Sequence, residues 1–207
     1  MGIVNLQRAL TNFISIKDAR RLAPVLIEIL KTGSITYDVA TEIISEDAED
    51  ILTLGYGWRL ILPLRAAKAG DWEDRMLIPQ PGEIYEMPNV VKHLVQDADK
   101  NGNWNPEKAI IDVFRSIGEP ASEKMPVLVG EMASGIKGHR VSGIQIKRIC
   151  TELGLVDRID PLVSELKACG ILSHKLGALG DASKTGSPIY EINPSILVGG
   201  VEGEEDS

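Results

Sequence analysis

The feature that most constrains the fold of this sequence is a change of hydrophobic period that happens twice along the chain. Ser15 and Asp18 have the S-x-x-D spacing of a capping box, and Leu22, Val25, Leu26, Ile29 and Leu30 follow at helical intervals until Gly33 stops the run. A short helix is expected over 36–44. Ser45 can cap a third, with Ala48, Ile51, Leu52 and Gly55 facing inward. The period then turns from helical to extended. Trp58-Arg59-Leu60-Ile61-Leu62-Pro63-Leu64 reads as a strand, Lys68-Ala69-Gly70-Asp71 as a turn, and Arg75-Met76-Leu77-Ile78-Pro79 as a return strand.

The second half repeats that order without repeating the residues. Ile110, Ile111, Phe114 and Ile117 form a helical stripe over 106–117, and Met125, Leu128, Val129 and Met132 form another after Ser122. A helix beginning at Ser142 or Gly143 carries Ile146, Ile149, Cys150 and Leu153. Glu152-Leu153-Gly154-Leu155 makes a tight turn, after which Ile159, Leu162, Val163 and Leu166 stand at i, i+3, i+4 and i+7. Gly170 ends that helix, 171–174 reads as a strand, 176–186 as a hairpin tip and 188–192 as the returning strand. The patterns predict a mainly α protein with small β wings, of the α+β class. The expected units are 1–96, a polar connecting loop at 97–105, a second unit at 106–198, and an acidic, disordered tail at 199–207. At 207 residues the chain is long enough for two cores, and with aromatics at 4% those cores must be mainly aliphatic.

From 141 to 197 the string VSGIQIKRICTELGLVDRIDPLVSELKACGILSHKLG, continued by GSPIYEINPSIL, gives a helix, the ELGL turn, a helix ending in ELKACGIL, a glycine-tipped wing and a closing YEINPSI strand. It resembles the winged helix-turn-helix domains of transcriptional regulators, and residues 35–79 resemble them by element order. The resemblance implies tandem winged-helix domains, with the second helix of the turn, here 157–170, in the DNA major groove and the wing reaching phosphates. Carried onto this chain, Arg158, Ser164 and Lys167 belong to the reading helix. His139, Arg140, Lys147 and Arg148 around the preceding helix, with Lys175 and Lys184 on the wing, form the phosphate footprint.

Charge distribution bears on that expectation. The net charge is -8, and Asp38, Glu42, Glu46, Asp47, Glu49 and Asp50 precede Trp58 with no basic residue among them. The helix of the first half that matches the reading helix would therefore repel phosphate, so any double-stranded DNA falls to the C-terminal half. The resemblance favours a DNA-binding transcriptional regulator. The acidic helix and tail favour the alternative, a non-catalytic adaptor or assembly subunit that docks onto a protein partner; a homodimer fits either.

Residues 97–105, Asp97-Ala98-Asp99-Lys100-Asn101-Gly102-Asn103-Trp104-Asn105, resemble the first half of an EF-hand or dockerin-type calcium loop, with Asp97, Asp99, Asn101 and Asn103 as the oxygen donors. The resemblance breaks at position twelve, where Lys108 replaces the bidentate carboxylate, and a polar turn explains the same residues. The sequence contains no GxxxxGK[ST], HExxH or GxSxG motif, and His93, His139 and His174 are far apart, so no enzyme is expected. Cys150 and Cys169 form no CxxC pair. They fall on or beside apolar helical stripes and fit core packing in a reducing cytoplasm. The first residues lack a basic-then-apolar leader, and no run approaches the roughly 18 to 20 apolar residues of a membrane span.

Overall fold

The computed structural model describes residues 2–64, 72, 79–134, 139–175 and 186–198. Helix α1 (Gly2–Leu10) precedes α2 (Ile16–Thr32), β1 (Ser34–Thr36), α3 (Tyr37–Ile44), α4 (Ala48–Gly57), β2 (Leu62–Pro63) and β3 (Ile84–Glu86). Helices α5 (Asn89–Asn101) and α6 (Pro106–Ser116) lead into the second half. That half holds α7 (Met125–Ala133), β4 (Arg140–Ser142), α8 (Gly143–Glu152), α9 (Ile159–Ala168), β5 (Leu172–His174) and β6 (Ile189–Ile192). The protein is mainly helical with two small antiparallel sheets, in the α+β class.

Two capping signals act where the sequence places them, and a third does not: Ser45, expected to cap α4, is instead the C-cap of α3 at φ 66°, and α4 starts after Asp47, whose side chain makes no cap bond. The Ser15 side chain accepts from the Asp18 N–H, and the Gly33 N–H closes α2 on the Ile29 carbonyl at 2.8 Å. Ser142 and Gln145 form a reciprocal capping box at the start of α8. The inward stripe of α2 buries Leu22, Val25, Leu26 and Ile29 completely, and Ile146, Leu162 and Leu166 do the same in the second half. Ile117, placed on an inward stripe by its spacing, is instead 48% exposed, because α6 ends at Ser116.

Each half forms a three-stranded sheet with the same order, β1-β3-β2 and β4-β6-β5, so the last strand of each half is central. In the first, Ile35 pairs with Tyr85 and Pro63 with Tyr85 from the other side. In the second, Arg140 and Ser173 flank Glu191. Strands β1 and β4 escaped the sequence reading because each is a three-residue segment running straight into a helix N-cap. The expected strand over 58–64 shrinks to Leu62–Pro63. Trp58 is the C-cap of α4, and Arg59 takes a left-handed conformation with φ 53°. Most of the expected return strand, residues 75–78, and the turn at 68–71 lie outside the described residues; the strand that pairs with β2 is β3. The tip at 176–185 and the tail also lie outside them.

The expected loop over 97–105 is largely helix. Residues 97–101 are the last turn of α5, closed by Gly102 at φ 77°, and only the four residues from Gly102 to Asn105 separate it from α6. Helix α1 explains why so polar a segment stays helical. Asn5 Nδ2 donates to the carbonyls of Asp99 and Lys100 at 3.2 and 3.1 Å, and Arg8 Nη2 donates to that of Asn101 at 3.0 Å. These are the carbonyls a helix end leaves without partners.

The halves share one core. Phe13 sits against Trp58 and Trp104, ring centroids 4.8 and 5.1 Å apart. The N-terminus of α5 caps the C-terminus of α9, through Val90 N–H to the Cys169 carbonyl at 2.9 Å and Asn89 Nδ2 to the Ala168 carbonyl at 3.0 Å. Asn193, fully buried, donates to the carbonyls of Arg59 and Gly170 and accepts from the N–H and hydroxyl of Ser195.

Candidate functional site

The α8-turn-α9 unit is built as its sequence suggests: Ile146, Ile149 and Cys150 turn inward, and the Leu155 N–H closes the turn on the Cys150 carbonyl at 2.7 Å. On its outer side Lys147 and Arg148 are exposed, with Arg148 reaching Glu152 at 3.7 Å, and Arg140 is exposed on edge strand β4. His139 is exposed next to Arg140, in a left-handed backbone conformation with φ 57°. Ser164 is exposed and its hydroxyl donates to the Asp160 carbonyl at 3.3 Å; Lys167 is half-buried.

Two expected DNA contacts are committed to carboxylates of the protein itself. The Arg158 guanidinium lies between Glu119, whose side chain is 1% exposed, and Glu165, which it reaches at 3.0 Å. Burial first, and the nearby Glu119 carboxyl second, push the Glu165 carboxyl above its ordinary range against the opposing pull of Arg158. Lys175, 15% exposed, pairs with Glu191 at 3.4 Å, on the same carboxylate that Arg59 holds at 3.1 Å. Opposite charges drawn into partly buried sites are held there by the desolvation cost of separating them. Lys175 is thereby drawn away from solvent, while Arg158, with its side chain 36% exposed, is held by two carboxylates of the protein and is not free for a base edge. Lys184 lies outside the described residues.

Helix α4 offers a different surface. Glu46, Asp47, Glu49 and Asp50 are exposed. Hydrogen bonds from Arg21 at 2.5 Å and Lys17 at 3.4 Å hold the Asp47 carboxyl below its usual range, and Tyr37 donates to Glu49 at 3.3 Å. Asp50 makes no ion pair or hydrogen bond with its side chain among the described residues. Beside it an open groove of about 580 Å³ runs between α4 and the end of β6, lined by Asp50, Leu54, Gly57, Trp58, His139 and Pro194, with Thr53 and Glu191 at its sides.

The residues of the calcium reading do not converge. Asp97 pairs with Lys108 Nζ at 2.7 Å and accepts from Asn101 Nδ2 at 3.0 Å, and the Asn101 carbonyl oxygen of the side chain accepts from the Asn103 N–H at 2.8 Å. Burial alone would raise the Asp97 carboxyl, but the bonds from Lys108 and Asn101 outweigh it and hold it low. Asp99 sits against Gly2 of α1. The helical turn sends these oxygens to protein partners, and among the described residues no group of three or more His, Cys, Asp or Glu side chains is placed to hold a metal.

Cys150 and Cys169 are buried, and burial pushes both thiols up, Cys169 to about 12. Such thiols stay protonated at neutral pH and are poor nucleophiles. His174 stacks on Tyr190 with centroids 4.8 Å apart, and burial lowers the basicity of His93. Sequence reasoning missed Arg59, Glu119, Glu191 and Asn193, which join distant segments and sit in no local motif.

Fold and site together define a two-halved, mainly helical α+β protein whose halves repeat one topology and share one core. Residues 5–200 match the model of a protein family, and the chain belongs to that family, whose description states no activity. No curated protein and no solved structure matches the chain. Among the described residues no helix is long and apolar enough to cross a membrane.

Proposed function

We propose that this chain is a tandem winged-helix protein that acts as a non-catalytic adaptor, docking onto another protein. The element order and the sheet orders β1-β3-β2 and β4-β6-β5 support the fold reading, since a helix, a short strand, two helices and a two-stranded ribbon make up a winged helix. The observation that carries the docking role is the fate of Arg158. With its guanidinium held between Glu119 and Glu165, the reading helix α9 presents Asp160, Pro161 and Ser164 to solvent. The equivalent helix α4 presents Glu49 and Asp50, with Glu46 exposed in the turn before it. Neither face suits a polyanion.

A second reading rests on Arg140, Lys147 and Arg148, which are exposed on one side of the second half and could contact phosphates without α9 entering the groove. Fluorescence anisotropy of a labelled mixed-sequence duplex, from low to physiological salt, separates the two. The docking role predicts no binding at physiological salt and little change on Lys147→Glu with Arg148→Glu. Steeply salt-dependent binding, lost in that double variant, would establish the DNA reading in its place.

A further inference from the structure

The groove between α4 and β6 has a graded chemistry. Asp50, Leu54 and Trp58 stand at i, i+4 and i+8, one stripe of the helix with neighbours about 6 Å apart along its axis. Asp50 is exposed and unpaired among the described residues, Leu54 and Trp58 are half-buried, and buried Pro194 continues the apolar floor from the second half. The opposite wall adds no free negative charge, because Arg59 and Lys175 both hold Glu191. Along α3 and α4, Lys17 and Arg21 meet the charge of Asp47, while Asp38, Glu42 and Asp50 have no cation within 4 Å among the described residues. The groove is thus acidic at one end, apolar at the other, and formed by both halves together.

We propose that this groove is the docking site for a segment of a partner protein that carries lysine or arginine beside leucine-like side chains on one face. The inference rests on the docking role proposed above and names its partner by chemistry. Charge complementarity selects the basic residues, and the half-buried Leu54, Trp58 and Pro194 select the apolar ones. An open groove with one unpaired carboxylate suits side chains presented by a helix better than an enclosed small molecule, which needs several convergent polar groups.

Gly57 provides the test. It is exposed at the groove, its backbone is not left-handed, and an added Cβ meets nothing within 4 Å, so Gly57→Trp fills the groove without disturbing the core. Asp50→Lys reverses the charge independently. The probe is a fluorescein-labelled helical peptide with Lys and Leu at i and i+4 along one face, compared with a twin carrying Glu for Lys, read by anisotropy against the full chain. Wild type is expected to bind the Lys/Leu peptide and not the twin, and each variant to weaken binding by at least about tenfold while melting like wild type. Absence of binding at low salt, or equal binding by both variants, overturns the proposal. So does sedimentation showing a wild-type dimer that Gly57→Trp abolishes, which would make the occupant a second copy. A cross-linked partner held equally by wild type and Gly57→Trp would leave the docking role standing and remove only the groove. Duplex binding with no partner would remove both.

Discussion

Arg158 and Arg59 show how a side chain's role follows from which carboxylate reaches it first. The sequence reading sets Arg158 at the head of a recognition-type helix, facing DNA, and Arg59 within an expected strand. Each is held instead by Glu119 and Glu165 in one case and by Glu191 in the other, with Arg59 also lying 4.4 Å over the Tyr56 ring. The pairing partners lie 39 and 132 residues away for Glu119 and Glu191, so no local spacing exposed them. The crowding of Glu119 and Glu165 around one guanidinium has a measurable consequence. The Glu165 carboxyl is raised in the folded state, so the folded protein holds that proton more tightly than the unfolded chain. The contribution is complete below the ordinary glutamate range and is lost as pH rises through the raised value. Glu165→Gln, which keeps an acceptor for Arg158, removes that loss. Urea unfolding should show the variant gaining on wild type from acidic to neutral pH and converging with it in acid; a constant difference across pH would exclude the raised carboxyl as its source. The depressed carboxyls of Asp47 and Asp97 act in the opposite sense, but both proteins share them and they cancel in the comparison.

At the scale of elements, the helices with strong apolar periodicity were legible and those specified by tertiary caps were not. Helix α2 has both a side-chain cap and an uninterrupted stripe, so its limits at Ile16 and Thr32 follow closely from Ser15 and Gly33. The end of α5 has the opposite character: Asp97, Asp99, Asn101 and Gly102 favour turns on local grounds, and the same oxygen-rich spacing imitates half a calcium loop. Its helical state depends on α1, whose Asn5 and Arg8 satisfy the terminal carbonyls, and on Lys108, which neutralises Asp97. Helix α1 itself left little trace in the sequence, because its nine residues bury only Leu6, Ala9 and Leu10. Asn5→Ala should therefore destabilise the protein by about 1 kcal/mol, although it lies 94 residues from the carbonyl it serves. Amide exchange should rise at the end of α5 in that variant, and added calcium should leave the melting temperature of both proteins unchanged. A calcium-dependent rise in melting temperature would restore the metal reading.

The whole molecule joins two copies of one topology so closely that the boundary read from the sequence does not divide its core. The expected units at 1–96 and 106–198 are recognisable in the element order, yet Arg59 pairs with Glu191 at 3.1 Å, the Val90 N–H donates to the Cys169 carbonyl at 2.9 Å, and Trp104 Nε1, between the two units, donates to the Ser195 carbonyl at 2.8 Å. Sequence periodicity reports which face of an element is apolar but not which neighbour covers it, so a shared core was invisible to it. Asn193 is the most sensitive point of the junction. It lies at the end of β6 with no exposed surface, and its amide joins the Arg59 carbonyl of the first half to the Gly170 carbonyl of the second. Asn193→Ala leaves two buried carbonyls and Ser195 without those partners, and should cost about 3 kcal/mol. The manner of unfolding decides whether the halves are one cooperative unit. Wild type and variant should each unfold in a single step, with tryptophan fluorescence, which reports on Trp58 and Trp104 and on Trp72, whose backbone N–H donates to the Ser173 hydroxyl of the second half, coincident with far-ultraviolet circular dichroism. If the halves were stable alone, Asn193→Ala would separate the two signals, because the helices of each half would survive after the junction had opened. Coincident signals at a lower midpoint would mean that the first half owes its stability to contacts made by the second, and that any partner seated between them meets a preformed surface.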